Sequence, residues 1–236
     1  MIPEVLAFGR TGFGDELLRG VFVTVYIAAL AFILGLFLGL IGAVAKLYGG
    51  LVSRLVANFY TTVIRSIPEL VLILFLFFAG TRGISTVGEL VGYGPVEVNG
   101  TLAAILVLGF VQGAYSTEVL RGAIQAVPTG QIEAARAYGM SPLQTLKRVI
   151  VPAMLPNAIP GLANLWLSVI KDTALIMITG ASAELGGTTR SAASFTKQYF
   201  LFYFVALMIY YSLTKISNFF IYRLERYVRR GQPKLA

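Results

Sequence analysis

The chain has 236 residues, of which 57% are hydrophobic and 13% are charged, and its formal net charge is +8. Soluble domains contain about 25% charged residues, so this composition indicates a membrane protein. The absence of cysteine and histidine excludes disulfides, thiolate and histidine metal sites, and Ser–His–Asp triads. We therefore expect no catalytic residue, no metal site and no cofactor bound to this chain.

Five segments are long and apolar enough to predict membrane-spanning helices, because about 20 apolar residues are needed to cross the hydrocarbon core. They cover residues 21–45, 55–80, 101–126, 156–183 and 198–222, and Pro68 lies inside the second. The chain is therefore predicted to be an all-α polytopic membrane protein, with residues 1–236 forming a single transmembrane domain. We find no internal repeat of the kind that marks many secondary transporters.

The basic residues favour one orientation of these spans. Lys46 and Arg54 follow the first span without a nearby acid, and the C-terminal tail has five Lys or Arg against Glu225. The segments on the other side of the membrane contain six acidic residues besides their basic ones, so they have no excess of positive charge. The positive-inside rule therefore places the N-terminus outside and the C-terminus in the cytoplasm. The charge is explained by this topology, so we expect the lipid bilayer and no nucleic acid as a partner.

A charged loop, residues 128–152, separates the third and fourth spans and is predicted to be cytoplasmic. "QIEAARAY" (131–138) favours a short helix, and Gly139 can supply a left-handed C-cap. Ser141 and Gln144 have the spacing of a capping box around Pro142, which favours a second helix. These features alone fit either a loop that packs on its own bundle or a helix that docks in a groove of a partner protein.

The loop resembles the EAA loop of ABC-importer permeases. The resemblance rests on Glu133, Ala134 and Ala135, on Gly139 after three intervening residues, and on "VIVP" (149–152). Further stretches are similar to the polar amino acid permeases of that family: "LLRGVFVTV" (17–25), "IRSIPELVLILFLFFAG" (64–80), "GAYSTEVLRGAIQAVPTGQIEAARAYG" (113–139) and "IKDTALIMITG" (170–180). Together they cover nearly the whole chain.

This resemblance implies a function and a set of partners. The loop would form a coupling helix that docks on a cytoplasmic ATPase, with Glu133, Ala134, Ala135 and Gly139 transmitting the force. The partners would be two ABC ATPase subunits, a second permease and a periplasmic or extracellular substrate-binding protein, all at a bacterial plasma (inner) membrane. An acid at the position of Glu69 resembles the sequence of one of the two paired permeases in histidine, basic amino acid and opine importers. This resemblance favours a second permease that differs from this chain.

The chain has no nucleotide-binding loop of its own. No lysine in it is followed by Ser or Thr, so the phosphate-binding sequence GxxxxGK[ST] is absent. If transport is driven by ATP, then ATP and Mg²⁺ are bound by a separate ATPase chain.

Charged residues within the predicted spans need an explanation, because each costs at least about 2.5–3.5 kcal/mol near the middle of the bilayer. These residues are Glu69, Lys171 and Asp172. They could pair internally, for example Arg65 with Glu69 at i, i+4, and only fix helix packing. Alternatively, Glu69 or Asp172 attracts a substrate ammonium or guanidinium group while Lys171 faces its carboxylate.

The sequence therefore predicts a non-enzymatic permease subunit of an ATP-driven importer for polar, and by preference basic, amino acids or their opine derivatives. A secondary transporter or channel driven by ion gradients is the main alternative, and its support is the set of intramembrane charges. A membrane assembly or sensor subunit that binds an ATPase without conducting a substrate is a further alternative.

Overall fold

The computed structural model describes residues 5–9, 12–94, 96–179 and 183–229. Within these ranges the chain is helical and contains no strand. In chain order the helices are α1 (Gly14–Tyr48), α2 (Leu51–Ser66), α3 (Glu69–Leu90), α4 (Gly100–Gln125), α5 (Thr129–Ala137), α6 (Pro142–Thr145), a π turn (Leu146–Ile150), α7 (Val151–Asp172), a 3₁₀ segment (Thr173–Thr179), α8 (Leu185–Thr196) and α9 (Tyr199–Val228).

Five of the described helical stretches are long and apolar enough to cross a membrane, which confirms the predicted number of spans. They are Gly14–Tyr48, Glu69–Leu90, Gly100–Gln125, Pro142–Thr179 and Tyr199–Val228. The predicted fourth span ends at residue 183 and therefore includes residues 180–182, which lie outside the described residues.

The bounds predicted for the second span, residues 55–80, are wrong. The chain breaks at Ile67 and Pro68, so the predicted segment joins part of α2 to part of α3. Ile67 has an extended backbone (φ −96°, ψ 140°), which is the conformation that a following proline imposes. The break places Glu69 in the first turn of α3 rather than within a continuous helix.

The bundle is organised around the close packing of α1 against α4. Gly35, Gly39 and Gly42 of α1 face α4, and a Cβ atom on Gly39 would lie 2.9 Å from the backbone carbonyl carbon of Ser116. Small residues allow helix backbones to approach closely in a membrane, where van der Waals contacts drive association. Buried apolar residues of α1, α3, α4 and α7 then form the central core beside this contact.

The prolines of the fourth span do not interrupt its helix. Pro156 and Pro160 lie inside α7, and Pro152 lies in its first turn. Pro152 has no N–H to donate to the carbonyl of Arg148, and the wide π turn Leu146–Ile150 lies directly before it. The Val151 amide donates to the carbonyl of Leu146 across this turn, so the loop continues directly into the span.

A short helix that the sequence analysis missed, α8, lies between the fourth and fifth spans. Its N-cap is Glu184, a fully buried acid that accepts hydrogen bonds from the amides of Gly186 (2.6 Å) and Gly187 (2.5 Å). The Tyr210 hydroxyl of α9 also donates to Glu184 (3.2 Å), and the Thr24 hydroxyl of α1 accepts from the Leu185 amide. Burial raises the pKa of the Glu184 carboxyl, although these donors stabilise its ionised form.

Candidate functional site

The loop between α4 and α7 begins with a well-terminated helix. Gly139 has a left-handed backbone (φ +74°), as its position predicted. Its amide donates to the carbonyl of Arg136 (2.9 Å), and the Met140 amide donates to the carbonyl of Ala135 (3.1 Å). This pair of bonds is a Schellman motif, which satisfies carbonyls that the helix end leaves open. The bonds set the direction in which the chain leaves α5.

The second part of the loop begins with the predicted capping box. The Gln144 amide donates to Ser141 Oγ (3.4 Å), and the Ser141 amide donates to Gln144 Oε1 (2.9 Å). Pro142 occupies the first turn, where its missing N–H costs nothing. The two caps together give the loop a defined shape by local hydrogen bonds alone.

The loop residues that the sequence analysis assigned to coupling are partly buried against the bundle and partly exposed. Ala135 is buried, and Ile132 packs against the apolar cluster beneath the loop. Glu133, Ala134 and Gly139 are exposed. Glu133 and Arg136, both described by the structure, form no ion pair with each other although they lie one helical turn apart. Glu133 is therefore available to another surface.

A recess of about 560 Å³ lies between α5 and the start of the fourth span. Its walls include Ala134 and Tyr138 on one side and Arg148 and Pro152 on the other. Tyr138 is 87% exposed, although it is a large aromatic residue. An exposed aromatic residue beside a recess is typical of a surface that a partner protein covers.

A second group of polar residues lies within the membrane-spanning part of the bundle. The side chains of Glu69 in the first turn of α3 and Asp172 at the end of α7 lie close together. Gln112 of α4 donates from Nε2 to Asp172 Oδ2 (3.3 Å). Both carboxyl groups keep some exposure, whereas Gln112 is buried. We refer to Glu69, Gln112 and Asp172 as the acidic cluster.

The basic residues near the acidic cluster are arranged differently from the expectation. Arg65 and Glu69 do not form the i, i+4 pair, because the break at Pro68 separates them. The Arg65 guanidinium instead lies 5.9 Å from the centre of the Tyr115 ring. Lys171 is exposed, lies next to Asp172 in sequence and forms no ion pair in the described part of the chain. The structure thus brings Glu69 and Asp172 together and leaves Lys171 apart.

Gln112 is the residue of this cluster that the sequence analysis missed. Its Oε1 atom is buried and accepts no hydrogen bond. The available signal was an amide side chain in the apolar first half of α4, directly before Gly113. Spacing along the chain could not show that this amide meets Asp172, because the two residues lie on different spans.

No group of three or more His, Cys, Asp or Glu side chains that could hold a metal ion occurs among the described residues. The acidic cluster has two carboxyls and one amide, and chemically it suits an organic cation that can receive several hydrogen bonds.

Comparisons with known proteins give the family. Residues 31–230 match the sequence profile described as "Binding-protein-dependent transport system inner membrane component". The chain is 41% identical to the nopaline transport system permease protein of Agrobacterium fabrum, with 96% of this chain and 97% of that protein covered. It is 39% identical to the histidine/lysine/arginine/ornithine transport system permease protein of Escherichia coli, with 91% and 94% covered.

The fold is also found among solved structures. A crystal structure of an amino acid ABC transporter with histidines matches with a TM-score of 0.77 and 29% identity. The match covers 91% of this chain and 94% of that chain.

Proposed function

The chain belongs to the family of binding-protein-dependent transport system inner membrane components, and on that premise we propose how it takes part in the import of amino acids or opines. It is a multi-pass protein of the bacterial inner membrane and acts as the permease subunit of an ABC importer. The relatives are named for nopaline and for histidine, lysine, arginine and ornithine, so we assign the chain to polar and preferentially basic substrates.

ATP is hydrolysed on another chain. The sequence has no phosphate-binding loop, histidine or cysteine, so this subunit moves its substrate without breaking a covalent bond. Two ATPase subunits with bound ATP and Mg²⁺ supply the energy, and a substrate-binding protein delivers the amino acid from outside. The charge distribution supports an N-terminus outside and places the loop 128–152 on the cytoplasmic side with the ATPases.

The loop 128–152 is the proposed coupling element. Its support is a Schellman motif that ends α5 and a capping box that starts α6, with Ala135 turned inward and with Glu133, Ala134 and Tyr138 exposed. Gly139 sets the exit direction of α5, so the exposed face is presented at a fixed angle. We assign ATPase docking to this face and transmission of force to Glu133, Ala134, Ala135 and Gly139.

The observation that carries the substrate assignment is the proximity of the Glu69 and Asp172 carboxyls, together with the Gln112 amide that donates to Asp172. Two neighbouring carboxyls form an acidic site, and an ammonium or guanidinium group is a cation that both can contact. The side chains of lysine, arginine and ornithine carry such a group. Lys171 lies on the exposed side, where it can face the substrate carboxylate. Glu69, Lys171 and Asp172 are thus the proposed substrate pathway.

A second permease subunit completes this pathway. Arg65 and Lys171 are exposed on this chain at residues within or beside membrane spans, where a charge facing lipid is unfavourable. They therefore face a polar pathway shared with the second permease. The acid at Glu69 favours a partner different from this chain. A complex with a second copy of the same chain would contradict this assignment.

The proposal is tested by gentle purification of the tagged chain from its own host's membranes and identification of the proteins that accompany it. An ATPase together with a second, different permease is the expected result. An ATPase with this chain alone would indicate a homodimer. If no ATPase is recovered under conditions that preserve other transporters, or if uptake persists after loss of the ATPase, the importer assignment is wrong and an ion-driven transporter is favoured.

A further inference from the structure

The inference concerns a buried ion network at the end of the bundle that carries the loop. Glu118 of α4 accepts from Lys46 Nζ of α1 at 2.5 Å through Oε1. Its other oxygen, Oε2, accepts from Arg121 Nε (3.0 Å) and Nη2 (2.8 Å). Lys46 Nζ also donates to Thr61 Oγ1 of α2 at 2.5 Å. One carboxylate thereby connects the ends of three helices.

This network is not a surface ion pair. The Lys46 side chain is 9% exposed and the Glu118 side chain 18% exposed. Exposed ion pairs contribute little, whereas loss of one partner from a buried pair leaves an uncompensated charge. The arrangement of α1, α2 and α4 at this end therefore depends on all of its members.

The same end of the bundle holds the coupling loop in place. A cluster of buried apolar residues joins α1, α4, the π turn and α7, and Ile132 of α5 packs against it. Ala43 and Leu120 belong to this cluster and lie within one turn of Lys46 and Glu118. Movement of α5 therefore reaches the network through packed side chains.

Two of the helices joined by the network lead to the acidic cluster. α4 holds Gln112, which is hydrogen-bonded to Asp172. α2 holds Thr61 and ends at Ser66, and the chain then passes through Ile67 and Pro68 directly to Glu69. The relative position of α2 and α4 thus affects the distance between Glu69 and Asp172.

From these contacts we infer that Glu118 is a positioning residue that makes the coupling loop, α1, α2 and α4 move as one body. ATPase-driven movement of the loop then displaces Glu69 and Gln112 together. Breaking the network lets the loop move without carrying α2, so ATP hydrolysis continues with less transport. The inference rests on the proposed role of the loop 128–152 and adds to it the route by which its movement reaches the substrate pathway.

The first test measures transport per ATP hydrolysed in the complete importer in proteoliposomes. Lys46→Met and Thr61→Val remove the contacts to α1 and α2 and leave the Glu118–Arg121 pair, so they disturb folding less than Glu118→Gln. Coupling energies between sites typically correspond to about 5–150-fold, so we expect the transport-to-hydrolysis ratio to fall about fivefold or more. Lys46→Arg keeps the positive charge and should retain much of the transport-to-hydrolysis ratio. Arg54→Met, which removes an exposed cation, is the control and should leave the ratio unchanged.

The second test measures the movement itself. The chain has no cysteine, so Gly130→Cys on the loop and Phe59→Cys on α2 give two exposed positions for spin labels outside the proposed docking face. In the otherwise unchanged chain, the distance between the labels should be the same with and without ATP. In the Lys46→Met or Thr61→Val variant, the mean distance should change with ATP or the distribution of distances should become broader.

Two results would overturn the inference: a label distance that responds to ATP in the unchanged network, or variants with an unaltered transport-to-hydrolysis ratio. Recovery of the ATPase with each variant is measured first. Failure to recover the ATPase with the unchanged chain would instead reject the proposed coupling function, so the two failures are distinguishable.

Discussion

The carboxyl groups of Glu69 and Asp172 lie close together although they belong to different spans. The contact exists because the chain breaks at Pro68, which puts Glu69 in the first turn of α3. Two carboxylates side by side repel each other, and a cation bound between them relieves that repulsion. This property motivates the first prediction.

Asp172→Asn should weaken the uptake of lysine and arginine by about tenfold or more, because charge-assisted hydrogen bonds contribute roughly 1.5–3 kcal/mol. Uptake of neutral polar amino acids should change less. The measurement is uptake kinetics in proteoliposomes across several amino acids, with Glu97→Gln as a control that removes an exposed acid between spans. Unchanged kinetics for every substrate would show that Asp172 only stabilises helix packing.

Gly139→Pro should abolish uptake while the chain still inserts in the membrane. Gly139 has φ +74°, whereas proline requires a φ near −65°, so the Schellman motif cannot form and α5 leaves in another direction. Glu133→Lys should have the same effect by reversing an exposed charge on the docking face. Gly130→Ala is the control in the same loop, since its added Cβ meets nothing within 4 Å. Normal uptake in both variants would refute the coupling assignment.

Gly39→Ala should lower the thermal stability of the purified chain by about 1–3 kcal/mol, the usual cost of overpacking. The new Cβ would lie 2.9 Å from the Ser116 backbone, so α1 and α4 must move apart. Gly80→Ala is the matched control in α3, because its Cβ meets nothing within 4 Å and alanine favours a helix over glycine. Equal melting temperatures for the two variants would contradict the close packing of α1 on α4.

Glu184→Ala should destabilise the chain, since it removes the acceptor for the amides of Gly186 and Gly187 and for the Tyr210 hydroxyl. An unsatisfied buried donor costs about 1–3 kcal/mol. Thermal unfolding in detergent measures the loss, and Glu89→Ala, at an exposed acid, controls for the change in charge. If the two variants have the same melting temperature, the Glu184 cap contributes nothing to stability.

The sequence by itself determined the number of spans and the local form of the loop. A span is recognised from the mean apolarity of about 20 residues, which folding does not alter. The helix stop at Gly139 and the capping box at Ser141 depend on hydrogen bonds between residues at most five positions apart, so their chemistry is visible in a short stretch. The bounds of the second span were missed, although Pro68 marked the point where the helix breaks.

Only the tertiary structure decided which polar side chains meet. Lys46 with Glu118, Gln112 with Asp172, and Tyr210 with Glu184 are pairs whose members lie on different elements. The Arg65–Glu69 pair that local spacing allowed does not form, and Glu184, which the sequence analysis did not single out, is buried as a helix cap. Such pairings depend on how the helices pack and rotate, and that packing follows from shape complementarity between distant residues such as Gly39 and Ser116, which the order of residues along the chain does not reveal.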